Sequence, residues 1–360
     1  MSADFAANAA ETQSAAPSPG HAAETSTRRI DTPIELIILA GFLGSGKTSL
    51  LVDLLQGDDR GETGVIVNEA GEIGIDGVIV EDGSQNLPVT MLANGCVCCS
   101  LRSSLVDTVM ALLDAPRPAG RAPLKRIVLE TSGLSRPGPI IASLADPLLS
   151  ARGLRVSVIS TYDCERGLLN IESFDEAAAQ LAAAQRIVLT KVDLVALETL
   201  EQHLGTIRGV NPFAQIVAET DRALAVQQAF TIASTNDPVD LALRAIFSPD
   251  TRALAHPRIH VLKGTLRDVT SWEDMSIWLD DLAGLCGDRL LRVKAVVNTT
   301  DCDEPILIQS VGTTFGMPRR LMQRVNTEDI CVVITRDIDA TAINTAFPDA
   351  PVALAAAACA

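Results

Sequence analysis

Residues 41–48 read Gly-Phe-Leu-Gly-Ser-Gly-Lys-Thr, a G-x-x-x-x-G-K-T pattern between an apolar run (IELIILA, 34–40) and a helical run (SLLVDLL, 49–55). The setting matters more than the match. A strand that turns through glycines into a helix N-terminus lets backbone N–H groups wrap an anion, with the helix adding positive potential. In that arrangement Gly41, Gly44, Ser45, Gly46, Lys47, Thr48 and Ser49 form a phosphate cradle. Lys47 reaches the β- and γ-phosphates, and the Thr48 hydroxyl ligates Mg²⁺.

Working outward, further apolar runs follow at 64–70 (GVIVNEA), 88–93 (PVTMLA), 126–132 (RIVLETS), 155–161 (RVSVIST) and 186–193 (RIVLTKVD). They are too continuous to alternate, which suits strands buried on both faces, and helical patterns separate them. Residues 32–220 therefore predict an α/β domain with a doubly wound, mostly parallel sheet. Residues 221–255 look like irregular helix and linker.

A smaller α+β domain is expected over 256–350, with strands RIHVLKGTL, LLRVKAVVN, EPILIQSV and ICVVITRD. Its amphipathic helix, TSWEDMSIWLDDLAGLCG, repeats Trp272, Met275, Trp278, Leu279, Leu282 and Leu285 at three-to-four spacing. Thr270 and Glu273 there read as a capping box, and Gly287 as the stop. Residues 1–31 and 351–360 are low in complexity. The first stretch has too few large apolar groups to offset its ordering entropy and reads as a disordered tail; the second reads as a tail as well.

The 360-residue chain carries a formal charge of −16 and a pI near 4.7. That balance argues against nucleic acid, whose binding depends on Lys and Arg neutralising phosphates. No apolar run is long enough for a bilayer and no secretory signal is evident, so no membrane role is expected and the chain is placed in the cytoplasm. Thiols there stay reduced.

The base of the nucleotide is addressed by Thr190-Lys-Val-Asp193 at the tip of a later strand. A carboxylate at Asp193 accepts both N1–H and N2–H₂ of guanine, a pair adenine lacks, and the Lys191 stem lies along the ring. GTP is thereby favoured over ATP, and a small-molecule kinase is disfavoured. Glu130, ending RIVLE, is placed to hold Mg²⁺ or its water, and Gly133 to sense the γ-phosphate through its N–H. Lys47, Thr48 and Glu130 are the candidate catalytic groups.

Three of eight cysteines stand within Cys96-Val-Cys98-Cys99. Thiolates at this spacing suit Zn²⁺ or another transition metal, and an incompletely filled shell suits transfer of the ion over storage. Asn68-Glu-Ala-Gly-Glu-Ile-Gly-Ile-Asp76 follows the second strand in the position of a nucleotide-sensing switch. If both loops leave the same sheet edge, thiols and carboxylates meet near the γ-phosphate. A redox-sensing thiol cluster without metal delivery is the competing reading.

Taken in order, GFLGSGKTSL, VIVNEAGEIGID, LANGCVCCSLR, ETSGLS and TKVDL resemble the CobW-like P-loop GTPases, and WLDDLAGLCGDRLLRVKAVVN resembles the opening of that family's C-terminal domain. The resemblance implies slow GTP hydrolysis coupled to handling of a metal, Zn²⁺ or Co²⁺, and its delivery to a client metalloprotein. It implies Glu69 and Glu72 as switch carboxylates and Cys96, Cys98 and Cys99 as metal thiols, and it leaves a homodimer open. The chain departs from many relatives in having no His-rich segment. Its four histidines include His256 and His260, whose spacing reads as incidental.

Overall fold

The computed structural model describes residues 33–68, 89–92, 101–117, 121–231, 254–267, 270–321 and 329–357. These described residues form a single compact unit holding two sheets.

The first sheet begins with β1 (Glu35–Gly41), followed by α1 (Lys47–Gln56), β2 (Thr63–Asn68), β3 (Val89–Leu92), α2 (Leu101–Asp114) and β4 (Arg126–Glu130). It continues through α3 (Pro137–Leu144), α4 (Pro147–Ala151), β5 (Arg155–Asp163), α5 (Gly167–Ser173), α6 (Asp175–Ala183) and β6 (Arg186–Thr190). The last elements are α7 (Leu197–Val210), β7 (Gln215–Val217) and α8 (Arg222–Phe230). The strand order is β3-β2-β4-β1-β5-β6-β7, and every pairing is parallel.

Alternation along β1 shows why the strand reads as one apolar run. Leu36, Ile38 and Ala40 join one core with α2, α6 and α7, while Ile37 and Leu39 join another with α1 and α8. A strand covered on both faces has no polar side. The expected doubly wound architecture is therefore present. The short strand β7 had no apolar run of its own to announce it.

The second sheet is antiparallel, in the order β11-β10-β9-β13-β8-β14. Its strands are β8 (Ile259–Leu266), β9 (Leu290–Thr299), β10 (Cys302–Val311), β11 (Thr314–Phe315), β12 (Arg319–Arg320, paired with β10), β13 (Ile330–Arg336) and β14 (Val352–Ala356). Helix α9 (Trp272–Cys286) covers one face, packing Met275, Trp278, Leu279 and Leu282 on Val293, Ala295, Val297 and Val333; α10 (Ala340–Ala346) packs on β14 and adds Ile343 to the same core. The other face meets the first domain: Leu291, Val332 and Ile334 belong to the same core as α6 and α7.

Three expectations are corrected. Of the segment read as irregular helix and linker, Arg222–Phe230 is a regular helix N-capped by Asp221 that belongs to the first domain, with Ala225, Ala229 and Phe230 buried beneath the first sheet. Part of the supposed C-terminal tail, Val352–Ala356, pairs antiparallel with β8 and buries Val352 and Leu354. Both segments are rich in small residues, so their placement comes from surfaces already built elsewhere. The capping box lies one residue later than expected: the Ser271 side chain accepts from Asp274 N–H and Asp274 returns the bond. Thr270 instead donates to the Arg267 carbonyl at 3.0 Å and is buried.

Among the described residues, no helix is long and apolar enough to cross a membrane. The observed cap makes a simple prediction. In urea titrations Ser271→Ala should cost about 1 kcal/mol, whereas Glu273→Ala should change stability by less than about 0.5 kcal/mol.

Candidate functional site

Parallel strands place all their C-terminal ends at one edge, and β1 stands in the middle of that edge. Its register partners bring Glu130 beside Leu39, Ser160 beside Ala40, and Thr161 beside Gly41. Asp163 pairs with Thr190 on the next strand.

The loop from Gly41 to Thr48 uses positive φ at Gly41 (144°), Gly44 (70°) and Gly46 (87°). At Gly41 a Cβ would also lie 2.1 Å from Thr161 Oγ1, so no larger residue fits. The loop is held from its flanks: Ser45 Oγ hydrogen-bonds Thr161 Oγ1 at 2.6 Å, and Thr190 Oγ1 donates to the Ser45 carbonyl at 3.0 Å. Lys47 is 3% exposed and its ammonium donates to the Phe42 carbonyl at 3.4 Å, among its contacts. Ser49 and Gly44 are exposed.

The Thr48 hydroxyl donates to Glu130 Oε1 at 2.6 Å, a distance within the range of a charge-assisted bond to a carboxylate. A hydroxyl and a carboxylate are hard oxygen donors, the chemistry Mg²⁺ selects, so the residues present fit that ion. Thr48 and Glu130 would hold it or its waters, and it would supply charge neutralisation of the phosphates.

Gly133 approaches the same loop closely. A Cβ there would stand 2.7 Å from Leu43 N and 2.9 Å from its Cα, so the glycine lets the turn after β4 lie directly against the cradle. Thr131 reinforces the approach by donating its N–H and hydroxyl to the Leu39 carbonyl at 3.1 and 3.2 Å.

At the tip of β6, Lys191 has φ 56°, and Asp193 lies exposed in a 3₁₀ turn over Val192–Leu194. A left-handed lysine costs about 1–2 kcal/mol. Two ion pairs oppose that cost: Lys191 Nζ donates to Asp163 Oδ2 at 2.7 Å and to Glu165 Oε2 at 3.1 Å. The bond to buried Asp163 is the main reason the Lys191 pKa is raised.

Sequence reading did not single out Asp163, Thr161 or Gln180. Asp163 left a signal, a lone carboxylate ending the apolar run RVSVISTYD. Thr161 and Gln180 left none, since their roles depend on which strand and loop stand opposite.

The predicted switch and thiol residues Glu69, Glu72, Cys96, Cys98 and Cys99 lie outside the described residues. Their flanks are described: Asn68 and Leu92 are register partners that end β2 and β3 at the edge carrying the phosphate loop. Among the described residues no group of three His, Cys, Asp or Glu side chains could hold a metal. His256 is buried and accepts from Arg258 N–H at 3.2 Å through Nδ1, while His260 lies on β8. Burial lowers the His256 pKa.

A glycine cradle with an adjoining Thr–Glu pair at the centre of a parallel sheet defines a P-loop nucleotide-binding protein. Comparison with known families makes the assignment narrower. The nucleotide-binding domain described as CobW/HypB/UreG matches residues 35–218, and the cobalamin synthesis protein cobW C-terminal domain matches residues 263–350. The chain belongs to this family.

The zinc chaperone YjiA of Escherichia coli is 28% identical over 300 residues, which cover 79% of this chain and 88% of YjiA. The zinc-regulated GTPase metalloprotein activator 1 of Schizosaccharomyces pombe is 33% identical over 195 residues, 52% of this chain and 46% of that protein. The crystal structure of Zn(II)-bound YjiA GTPase superimposes with a TM-score of 0.56 over 89% of this chain and 99% of YjiA. At 20% identity that match shows the shared fold.

Charged hydrogen bonds are worth about 1.5–3 kcal/mol each, so removing the Lys47 ammonium should weaken GTP binding by about 10- to 100-fold or more. Isothermal titration of Lys47→Ala checks this, and wild-type affinity would remove the cradle assignment. Thr48→Val should lower the Mg²⁺ dependence of binding in the same assay.

Proposed function

We propose that this chain is a GTP-hydrolysing metallochaperone. In this reading GTP and Mg²⁺ occupy the cradle built by Gly41–Thr48 and Glu130, and Asp193 reads guanine. A transition metal, Zn²⁺ or Co²⁺, binds as cargo to Cys96, Cys98 and Cys99 with Glu69 and Glu72 nearby, and passes to a client metalloprotein.

The observation that carries the proposal is the Thr48–Glu130 hydrogen bond, 2.6 Å, at the sheet edge where β2 and β3 also end. The segments bearing the carboxylates and thiols leave from Asn68, on β2 beside β4, and from Leu92, on β3 beside β2. The names of the relatives, a zinc chaperone and a zinc-regulated metalloprotein activator, support the choice of cargo and of a protein client.

Coupling follows from charge. Losing the γ-phosphate removes negative charge and Mg²⁺ contacts beside the switch, which shifts a two-state loop by a few kcal/mol. A metal site built partly from that loop would then weaken, and the ion would leave for a competing ligand set.

Competition titrations of Zn²⁺, Co²⁺, Ni²⁺ and Fe²⁺ with a non-hydrolysable GTP analogue, with GDP, and without nucleotide measure this coupling. The expected result is tighter metal binding in the triphosphate state by a factor of about 5–150. Metal affinity indifferent to nucleotide would defeat the proposal. Replacing all three clustered cysteines with serine should remove tight metal binding and spare nucleotide binding; equal loss of both would mark the cluster as structural.

The base reader has its own test. Asp193→Asn should weaken GTP and favour xanthosine triphosphate, whose C2 oxygen accepts a hydrogen bond where guanine donates. An unchanged base preference would remove Asp193 from this role.

A further inference from the structure

Helix α6 stands between the turn that carries Gly133 and the second sheet, and it is bonded to both. At one position Gln180, 1% exposed, donates both amide hydrogens to the turn: Nε2 lies 2.9 Å from the Gly133 carbonyl and 2.9 Å from the Ser135 carbonyl. Within one helical turn, the C-terminal carbonyls receive a cation from the other domain. Arg292 Nη1, on β9, donates to the Ala182 carbonyl at 2.6 Å and the Ala184 carbonyl at 3.0 Å.

A second path runs parallel. Arg136, at the end of the same turn, pairs with Glu176 of α6 at 3.3 Å and with Asp288, just before β9, at 3.3 Å. Gly138 then accepts from Thr314 Oγ1 at 3.3 Å. The turn, the helix and the antiparallel sheet thus form one bonded series.

We infer that Gln180 is a positioning residue that holds the Gly133 turn against the phosphate loop, and that Arg292 sets its place through α6, so that the C-terminal sheet biases discrimination between GTP and GDP. The inference rests on Gly133 as the γ-phosphate contact. The chemistry is direct. The peptide carbonyls of Gly133 and Ser135 can each be fixed by one buried N–H donor, and fixing them holds the intervening turn. A turn free to shift would still border GDP but would lose its alignment to a third phosphate.

Arg292 is suited to the distal role because its burial makes displacement costly. It is 3% exposed, its guanidinium lies 5.8 Å from the Phe213 ring centroid, and its position also depends on the carbonyl end of α6. Asn211, the residue after α7, shares those carbonyls, donating to Ala184 at 2.9 Å and Ala182 at 3.3 Å as well as to Leu181 at 2.7 Å. Movement of β9 therefore reaches α6 without an intervening flexible segment.

The test measures Kd for GTPγS and for GDP, with Mg²⁺, on the full chain. Gln180→Met keeps side-chain length and removes both donors; it should narrow the GTPγS-to-GDP discrimination by about 10-fold while leaving GDP affinity unchanged. Arg292→Met should act in the same direction, and the double variant should show less than the product of the two effects, as coupled residues do. If Arg292→Met does not fold, the partly exposed Arg136→Gln takes its place, with the same expectation.

Unchanged discrimination in either single variant, or full additivity in the double, overturns the inference. So does an equal loss of GDP and GTPγS, the result for a residue that only supports the fold. Gly133→Ala separates the two levels. If it leaves discrimination intact, the γ-phosphate reading falls and takes the coupling with it. If it abolishes discrimination while Gln180→Met does not, the coupling alone is overturned.

Discussion

A loop that presents its backbone N–H groups to an anion cannot use those groups to hold itself in place. Its rigidity has to come from carbonyls, side chains and neighbours. The phosphate loop meets this constraint through the Ser45–Thr161 hydroxyl pair and the bond from Thr190 to the Ser45 carbonyl, both drawn from adjacent strand tips. Thr190 is also the first residue of the segment proposed to read guanine. That segment and the phosphate loop are thus fastened to each other, and their separation is set by the spacing of β1, β5 and β6.

The same constraint shapes the turn after β4. Gly133 lies against Leu43 because the glycine has no Cβ to meet the Leu43 backbone and side chain, and Gln180 donates to the Gly133 and Ser135 carbonyls of the turn. Asp163 performs a comparable service on the other flank by fixing Lys191 in a left-handed conformation. In each case the group facing the nucleotide edge is fixed by a buried polar group one layer behind it.

The second sheet is part of this scaffold. Along β9 the alternation is sharp: Val293, Ala295 and Val297 face α9, while Arg292 and Lys294 face the first domain, with Phe213 beneath both cations. Burying a cation costs several kcal/mol unless it is paired. Here Arg292 is satisfied by helix carbonyls, the end of a helix where positive charge is favoured. Burial still draws its pKa down to about 10, so it remains charged at neutral pH. Two domains joined by so specific a contact have a defined relative position, which a purely apolar interface would leave less determined.

Much of this was legible in the chain. Local patterns carried the parallel sheet, because a strand buried on both faces must be apolar throughout, and IELIILA and RIVLE have no other use. The phosphate loop, the Thr190–Asp193 segment and the placement of Glu130 at a strand tip were equally readable, since each depends on residues close in sequence. The capping box was missed by one residue, because Thr270-x-x-Glu273 and Ser271-x-x-Asp274 satisfy the same local rule and packing chose between them. What tertiary structure alone decided is long-range: the strand made by Val352–Ala356, the helix at Arg222–Phe230 buried under the first sheet, and the partners of Asp163, Gln180 and Arg292. Side chains such as these acquire meaning from groups tens of residues away, and no periodicity or short motif encodes which carbonyl or carboxylate will stand opposite once the strands have found their order.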